Sequence, residues 1–123
     1  MLLDSNIIIY ASQPEFLTLR DFLSGKVIAT SVICKIETLG YSKLEPIQKT
    51  FLENFFDSIR VVPLTNEISE KAIRLRQVHA MSLGDSIIAA TALIEEMELV
   101  TRNISDFKMI KGLKLFNPLK IKN

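Results

Sequence analysis

Three aspartates and one glutamate carry the chemistry that this sequence can offer: Asp4, Glu37, Asp85 and Asp106. Asp4 ends the apolar run Met1-Leu2-Leu3 and is followed by Ser5 and Asn6 before Ile7-Ile8-Ile9-Tyr10 resumes it. That is the pattern of a short buried strand with an acid at its carboxyl tip, where ligand sites of open α/β sheets lie. Carboxylates brought together there repel one another, by about 4 kcal/mol for two unit charges about 4 Å apart at an effective dielectric near 20. Such a group either takes up protons or binds a hard cation. Mg²⁺ or Mn²⁺ suits a set of a few carboxylates, and an ion so held activates water and stabilises a phosphodiester transition state. With His79 the only histidine, no imidazole cluster competes as a metal site.

The elements must bring these acids to one edge. Ser5 to Ser12 reads as a helix capped by Ser5 or Asn6. Pro14 opens a second, with Phe16, Leu19, Phe22 and Leu23 as its apolar stripe and Gly25 as its stop. Val27 to Thr30 is the second strand, and Ser31 caps a helix to about Ser42 with Val32, Ile33, Ile36 and Leu39 on one face. Glu37 falls at the edge of that face and is expected to be half-sheltered. Pro46 opens a helix that turns Phe51, Leu52, Phe55 and Phe56 inward, and Arg60 to Leu64 is the third strand. Thr65 starts a helix to about His79 with Ile68, Ala72, Ile73 and Leu75. Ser82 to Asp85 then begins the most apolar helix, ending near Met97, before strand Leu99-Val100-Thr101. A loop at Arg102 to Phe107 leads to a last strand, Lys114 to Pro118, placed at a sheet edge because Pro118 cannot donate to a ladder.

Alternation of strands and helices predicts a parallel sheet with helices on both faces. In that arrangement Asp4 ends the first strand, Asp106 follows the fourth by five residues, and Asp85 starts the helix that returns to the fourth. These three meet at one mouth. Glu37 lies six residues past Ser31, about 9 Å along a helix, and reaches the mouth only if its helix leans across the sheet edge. Each acid also has a purely structural reading. Asp85 can complete a Ser82-x-x-Asp85 cap, Asp106 can do the same after Asn103, Asp4 can cap the first helix, and Glu37 can be a surface acid. Four such coincidences at one edge are harder to accept than a shared site. His79, at a helix C-terminus, suits that position as a cation rather than as a base.

With 123 residues and 48% apolar content, the chain is expected to form a single domain over residues 1–123. Its one cysteine, Cys34, excludes an intrachain disulfide and reads as a small buried residue. No basic stretch precedes the first apolar run and Asp4 interrupts it, so a secretory signal is not visible, and no run approaches a membrane span. A cytoplasmic protein is expected. Residues 1–106 hold 10 basic and 14 acidic side chains, whereas residues 107–123 hold five lysines, Lys108, Lys111, Lys114, Lys120 and Lys122, and no acid. Such a tail can contact a polyanion or simply be a solvated surface.

Four segments together resemble the PIN-domain ribonucleases that form the toxin half of VapBC-type pairs. They are Leu3-Asp4-Ser5-Asn6, the Ser31 to Gly40 segment with Glu37, Asp85-Ser86-Ile87-Ile88-Ala89-Ala90-Thr91-Ala92, and Thr101-Arg102-Asn103-Ile104-Ser105-Asp106-Phe107. The first alone is weak; the last two, in this order and spacing, are specific. The resemblance covers nearly the whole chain. It implies a three-layer α/β/α sandwich around a parallel sheet of strand order 3-2-1-4-5. It also implies Mg²⁺- or Mn²⁺-dependent endonucleolytic cleavage of RNA to 5′-phosphate and 3′-hydroxyl ends. Asp4, Glu37, Asp85 and Asp106 would be the acidic quartet and metal ligands, with Ser5, Thr101 and Asn103 as supporting polar residues. A homodimer and an antitoxin partner are implied as well. Lysines of the tail, or Lys35 and Lys43, are candidates to hold the RNA backbone.

Other classes fit less well. A haloacid-dehalogenase-type phosphotransferase needs an acid where Asn6 stands, and no Gly-rich turn follows the first strand for a dinucleotide. An adhesion-type metal domain would need an Asp-x-Ser-x-Ser run that the sequence lacks. The remaining alternatives are another metal-dependent phosphoryl hydrolase and a PIN-like fold that binds RNA or scaffolds without turnover.

Overall fold

The computed structural model describes residues 1–120; Lys122 of the basic tail lies outside the described residues. Five parallel strands, β1 (Leu2–Leu3), β2 (Ala29–Ser31), β3 (Arg60–Val62), β4 (Leu99–Val100) and β5 (Leu115–Phe116), form one sheet in the order β3-β2-β1-β4-β5. The register pairs Leu2 with both Ala29 and Leu99, Ala29 with Arg60, and Leu99 with Leu115. Leu2, Leu3, Leu99 and Val100 have no exposed surface, as central strands covered on both faces require. The expected strand order and edge position of the last strand are borne out.

Among the described residues six α-helices flank this sheet: α1 (Ser5–Ala11), α2 (Leu17–Leu23), α3 (Val32–Leu39), α4 (Pro46–Ser58), α5 (Asn66–Val78) and α6 (Leu83–Ile94). α1 contacts α2 and α3, α3 contacts α4, and α5 lies along α6. Among the described residues, no helix is long and apolar enough to cross a membrane. α6 buries every residue from Ser86 to Ala92, so its all-round apolar sequence is a central helix. It ends in a Schellman turn: Met97 N donates to Ala92 O at 2.9 Å and Glu96 N to Leu93 O at 3.3 Å. Glu96 takes the left-handed conformation there, φ 55°, ordinarily a glycine's role.

Several local expectations are corrected. Of the three caps that the sequence offers for α1, Asp4 takes the role and Ser5 and Asn6 do not, Asp4 accepting from Ser5 N at 2.8 Å. The second helix begins as a 3-10 turn, Pro14–Phe16, and only then becomes α2. β2 starts at Ala29, leaving Val27 90% exposed. α3 stops at Leu39 and buries Cys34 and Thr38, while Ile36 is 61% exposed. Helical spacing alone selected the face with the bulkiest side chains. Ser31, as both the end of β2 and the cap of α3, instead turns the small side chains onto β1, with Cys34 Sγ 3.8 Å from Leu3 O. Ile73 likewise faces outward. Ile9, Leu17, Ile36 and Ile47 leave exposed apolar surface on each of the first four helices.

Candidate functional site

Parallel strands end together, so the residues that follow β1 and β4 become neighbours although far apart in sequence. The ladder extends past the strands: Asp4 N donates to Val100 O and Thr101 N to Phe116 O, both at 2.9 Å. Asp4 and Thr101 therefore stand side by side, and the Thr101 hydroxyl donates to Asp4 Oδ2 at 2.8 Å. Both residues are buried. Thr101 Oγ1 in turn accepts from Asn103 N at 3.0 Å, a turn that bends the chain towards Asp106. Asn103 thus supports the site through its backbone, its side chain being exposed.

Glu37 arrives from the other side. The Ser5 hydroxyl donates to Glu37 Oε1 at 2.8 Å. A Cβ at Gly84 would lie 3.5 Å from Glu37 Oε2, so α3 does lean across the edge far enough to reach the first turn of α6. The expectation that Glu37 is half-sheltered is corrected: it is exposed, because the bond from Ser5 draws its carboxylate to the rim of the mouth. Ser82 caps α6 by accepting from Asp85 N at 3.1 Å, which fixes Asp85 in the first turn. Asp85 and Asp106 border one cavity of about 330 Å³ together with Met81, Ser82, Ser105 and Met109. Asp4 and Glu37 do not line this cavity; a larger one, about 400 Å³, lies between α5 and α6 and is lined by no acid.

Electrostatics ties the groups together. Burial raises the Asp4 pKa above the ordinary carboxylate value, and the charges of Asp85 and Glu37 raise it further. Thr101 and the Ser5 N–H oppose the rise by bonding to the ionised form. Asp85 is also raised, first by desolvation, then by Asp106 and Glu37, with the Ser82 hydroxyl in opposition. The structural readings of Asp4 and Asp85 are therefore true without being complete: each takes part in a helix cap while sharing a field with the other acids. Beneath them the Cys34 thiol is buried and pushed up to about 11, mainly by desolvation. His79 forms the C-cap of α5 and lines a separate cavity with Lys71, Arg74 and Val78.

Asn6 is the residue that sequence reasoning missed. Its Nδ2 lies 3.4 Å from both Asp4 Oδ2 and Thr101 Oγ1, and its Oδ1 accepts from Arg102 N at 3.2 Å. Asn6 links the first turn of α1 to the β4 loop. Its signal was a polar side chain two residues after an acid in an otherwise apolar stretch. The oxygens presented at this edge are those a hard divalent cation takes, and the raised pKa of Asp4 and Asp85 marks a place where positive charge is wanted. Among the described residues, no group of three or more His, Cys, Asp or Glu side chains stands as a ready-made metal site.

Comparison with known proteins agrees with this geometry. The family model described as PIN domain matches residues 1–113. Ribonuclease VapC10 of Mycobacterium tuberculosis is 31% identical over 93% of this chain and 90% of that protein. A toxin–antitoxin complex from Klebsiella pneumoniae contains a chain with TM-score 0.80 and 29% identity, covering 98% of each chain. VapBC2 from Rickettsia felis, bound to a DNA fragment from its promoter, gives TM-score 0.78 and 26% identity over 94% of this chain and 96% of that one.

Proposed function

The chain belongs to the PIN domain family, and on that premise we propose that it is an endoribonuclease, dependent on Mg²⁺ or Mn²⁺, serving as the toxin of a toxin–antitoxin pair. The observation that carries this reading is the pairing of two acids with two hydroxyls at one sheet edge: Asp4 with Thr101, and Glu37 with Ser5. Asp85 lies within electrostatic reach of Asp4, and Asp106 of Asp85.

Asp4, Asp85 and Asp106 would hold the ion, with Glu37 completing the negative pocket. A divalent ion bound there supplies Lewis-acid polarisation of a phosphoryl oxygen and lowers the pKa of water. Thr101 favours the ionised form of Asp4 against the effect of burial and fixes the orientation of its carboxylate. Ser5 engages Glu37 Oε1, which leaves Oε2 to orient the attacking water and take its proton. Attack on phosphorus breaks the bond to the 3′ oxygen, which leaves with a proton as a 3′-hydroxyl, and the 5′ side keeps the phosphate. Lys35, Lys43 and the exposed Lys108, Lys111 and Lys114 are available to the RNA backbone, so binding weakens with salt.

The partners follow the same premise. An antitoxin covers the mouth, and the exposed Ile9, Leu17, Ile36 and Ile47 form part of an interface, with a second copy of the chain in a homodimer. Residues 1–123 act as one domain in the cytoplasm. A second reading, RNA binding without turnover, is favoured by the lack of a ready-made metal group among the described residues.

Incubation of RNA with the purified chain separates the two. Cleavage in Mn²⁺ that stops with a chelator, and that Asp4→Asn or Asp85→Asn abolishes in a folded protein, is the expected result. Variants that cut as fast as the parent overturn the mechanism. Growth arrest on expression, relieved by a small neighbouring gene, tests the toxin role separately.

A further inference from the structure

Arg102 belongs to the same motif as Thr101 and Asn103, yet the mechanism above gives it nothing to do. Its backbone is held on both sides: its N–H donates to Asn6 Oδ1 at 3.2 Å, and its carbonyl accepts from Asn117 Nδ2 at 3.4 Å. Its side chain is held too. The guanidinium carbon lies 5.3 Å from the centroid of the Tyr10 ring, and the guanidinium donates to the Tyr10 hydroxyl. Tyr10 is braced by Phe16, ring centroids 4.7 Å apart. Arg102 itself remains exposed.

A long cation fixed at four points would ordinarily be explained by an acid partner. Among the described residues the only ion pair is Arg60 with Glu95, so the Arg102 charge is not spent on a carboxylate. It stands instead one residue from Thr101, beside a mouth whose acids repel an incoming phosphodiester. A guanidinium offers a planar fork that matches phosphate through two parallel hydrogen bonds, and holding it over an aromatic ring in advance lessens the side-chain entropy lost on binding. We propose that Arg102, steered by Tyr10, grips an RNA backbone phosphate adjoining the scissile bond and so determines how the strand enters the acidic mouth. The bland alternative is a tether that fastens α1 to the β4 loop.

This inference rests on the ribonuclease reading for its substrate class, so the test measures binding apart from turnover. In an Asp85→Asn background, Arg102→Gln and Arg102→Lys are titrated against a fluorescein-labelled, mixed-sequence single-stranded RNA by anisotropy across roughly 50 to 200 mM KCl. Arg102→Gln is expected to weaken binding by about tenfold or more and to flatten the plot of log affinity against log salt by about 0.7, one phosphate contact on a single strand. Arg102→Lys keeps the slope and recovers only part of the affinity, since an ammonium is a point charge. A tether would move the melting temperature and leave the slope alone. If Arg102→Gln unfolds the chain, Arg102→Lys and Tyr10→Phe carry the test, the latter expected to weaken binding while keeping the slope. Unchanged affinity and slope in a folded Arg102→Gln overturn the proposal, as does a parent that binds no RNA. If RNA is bound in an Arg102-dependent way but the chain with Asp85 intact never cuts it in Mn²⁺, the ribonuclease reading is overturned and this one stands.

Discussion

Replacing Thr101 by valine keeps the shape of a residue with no exposed surface and removes one hydroxyl. That hydroxyl donates to Asp4 Oδ2 at 2.8 Å and accepts from Asn103 N at 3.0 Å. A hydrogen bond to a charged group contributes about 1.5–3 kcal/mol, and a neutral one about 0.5–1.5 kcal/mol. Thr101→Val is therefore expected to lose about 2–4 kcal/mol at pH 7, or roughly 8–16 °C in melting temperature for a chain of this size. Thr101→Ser, which keeps the hydroxyl and loses a methyl, should lose only about 1 kcal/mol. The pH dependence carries the sign. A carboxyl whose pKa is raised on folding, as Asp4's is, contributes stability fully below its unfolded pKa and loses it as pH climbs through the folded value. Above that value the ionised Asp4 is a liability that Thr101 reduces, so the valine variant should fall furthest at neutral pH and approach the parent in acid. Thermal melts of parent, Val and Ser variants at pH 4 and pH 7, with chelator present, make the comparison. A valine variant as stable as the parent at pH 7, or a deficit unchanged at pH 4, refutes the claim that this hydroxyl holds an ionised Asp4.

Asp85→Asn should melt at or above the parent at pH 7 without metal while RNA cleavage falls by at least about a hundredfold, because removing a charge with a raised pKa relieves repulsion from Asp106 and Glu37; a clear loss of stability at neutral pH contradicts this. Mn²⁺ at about a hundred times its Kd should stabilise the parent by about 2.7 kcal/mol, and an equal gain in Asp4→Asn would remove Asp4 from the ligand set. Glu96→Gly should raise stability by about 1 kcal/mol by relieving the left-handed backbone after α6, seen as a shifted urea midpoint at constant m. Cys34, with its thiol pushed up to about 11, should resist a thiol reagent at pH 8 until the chain unfolds.

The parallel sheet and the sheet-edge positions of Asp4 and Asp85 were legible from pattern, namely apolar runs that stop at an acid and a Ser-capped helix whose first turn holds another, whereas the strand order came only from the family resemblance. Glu37 was legible only as a conditional, since its reach depends on the lean of α3, and that lean is set by the small Cys34 and Thr38 rather than by the bulky Ile36. The cap of α1 stayed open in the sequence for a related reason: Asp4, Ser5 and Asn6 are all good caps in isolation, and the ladder bond from Asp4 N to Val100 O decides for Asp4. Asn6 and Arg102 were not legible because their partners, Thr101 and Tyr10, are each more than 90 positions away.

The separation of 97 positions between Asp4 and Thr101 has a consequence for biosynthesis. Asp4 leaves the ribosome 97 residues ahead of Thr101, its neighbour on the adjoining strand. High contact order of this kind slows folding. A fragment released before Leu99 and Val100 lacks the strand that lies against β1, and with it the hydroxyl that pairs with Asp4.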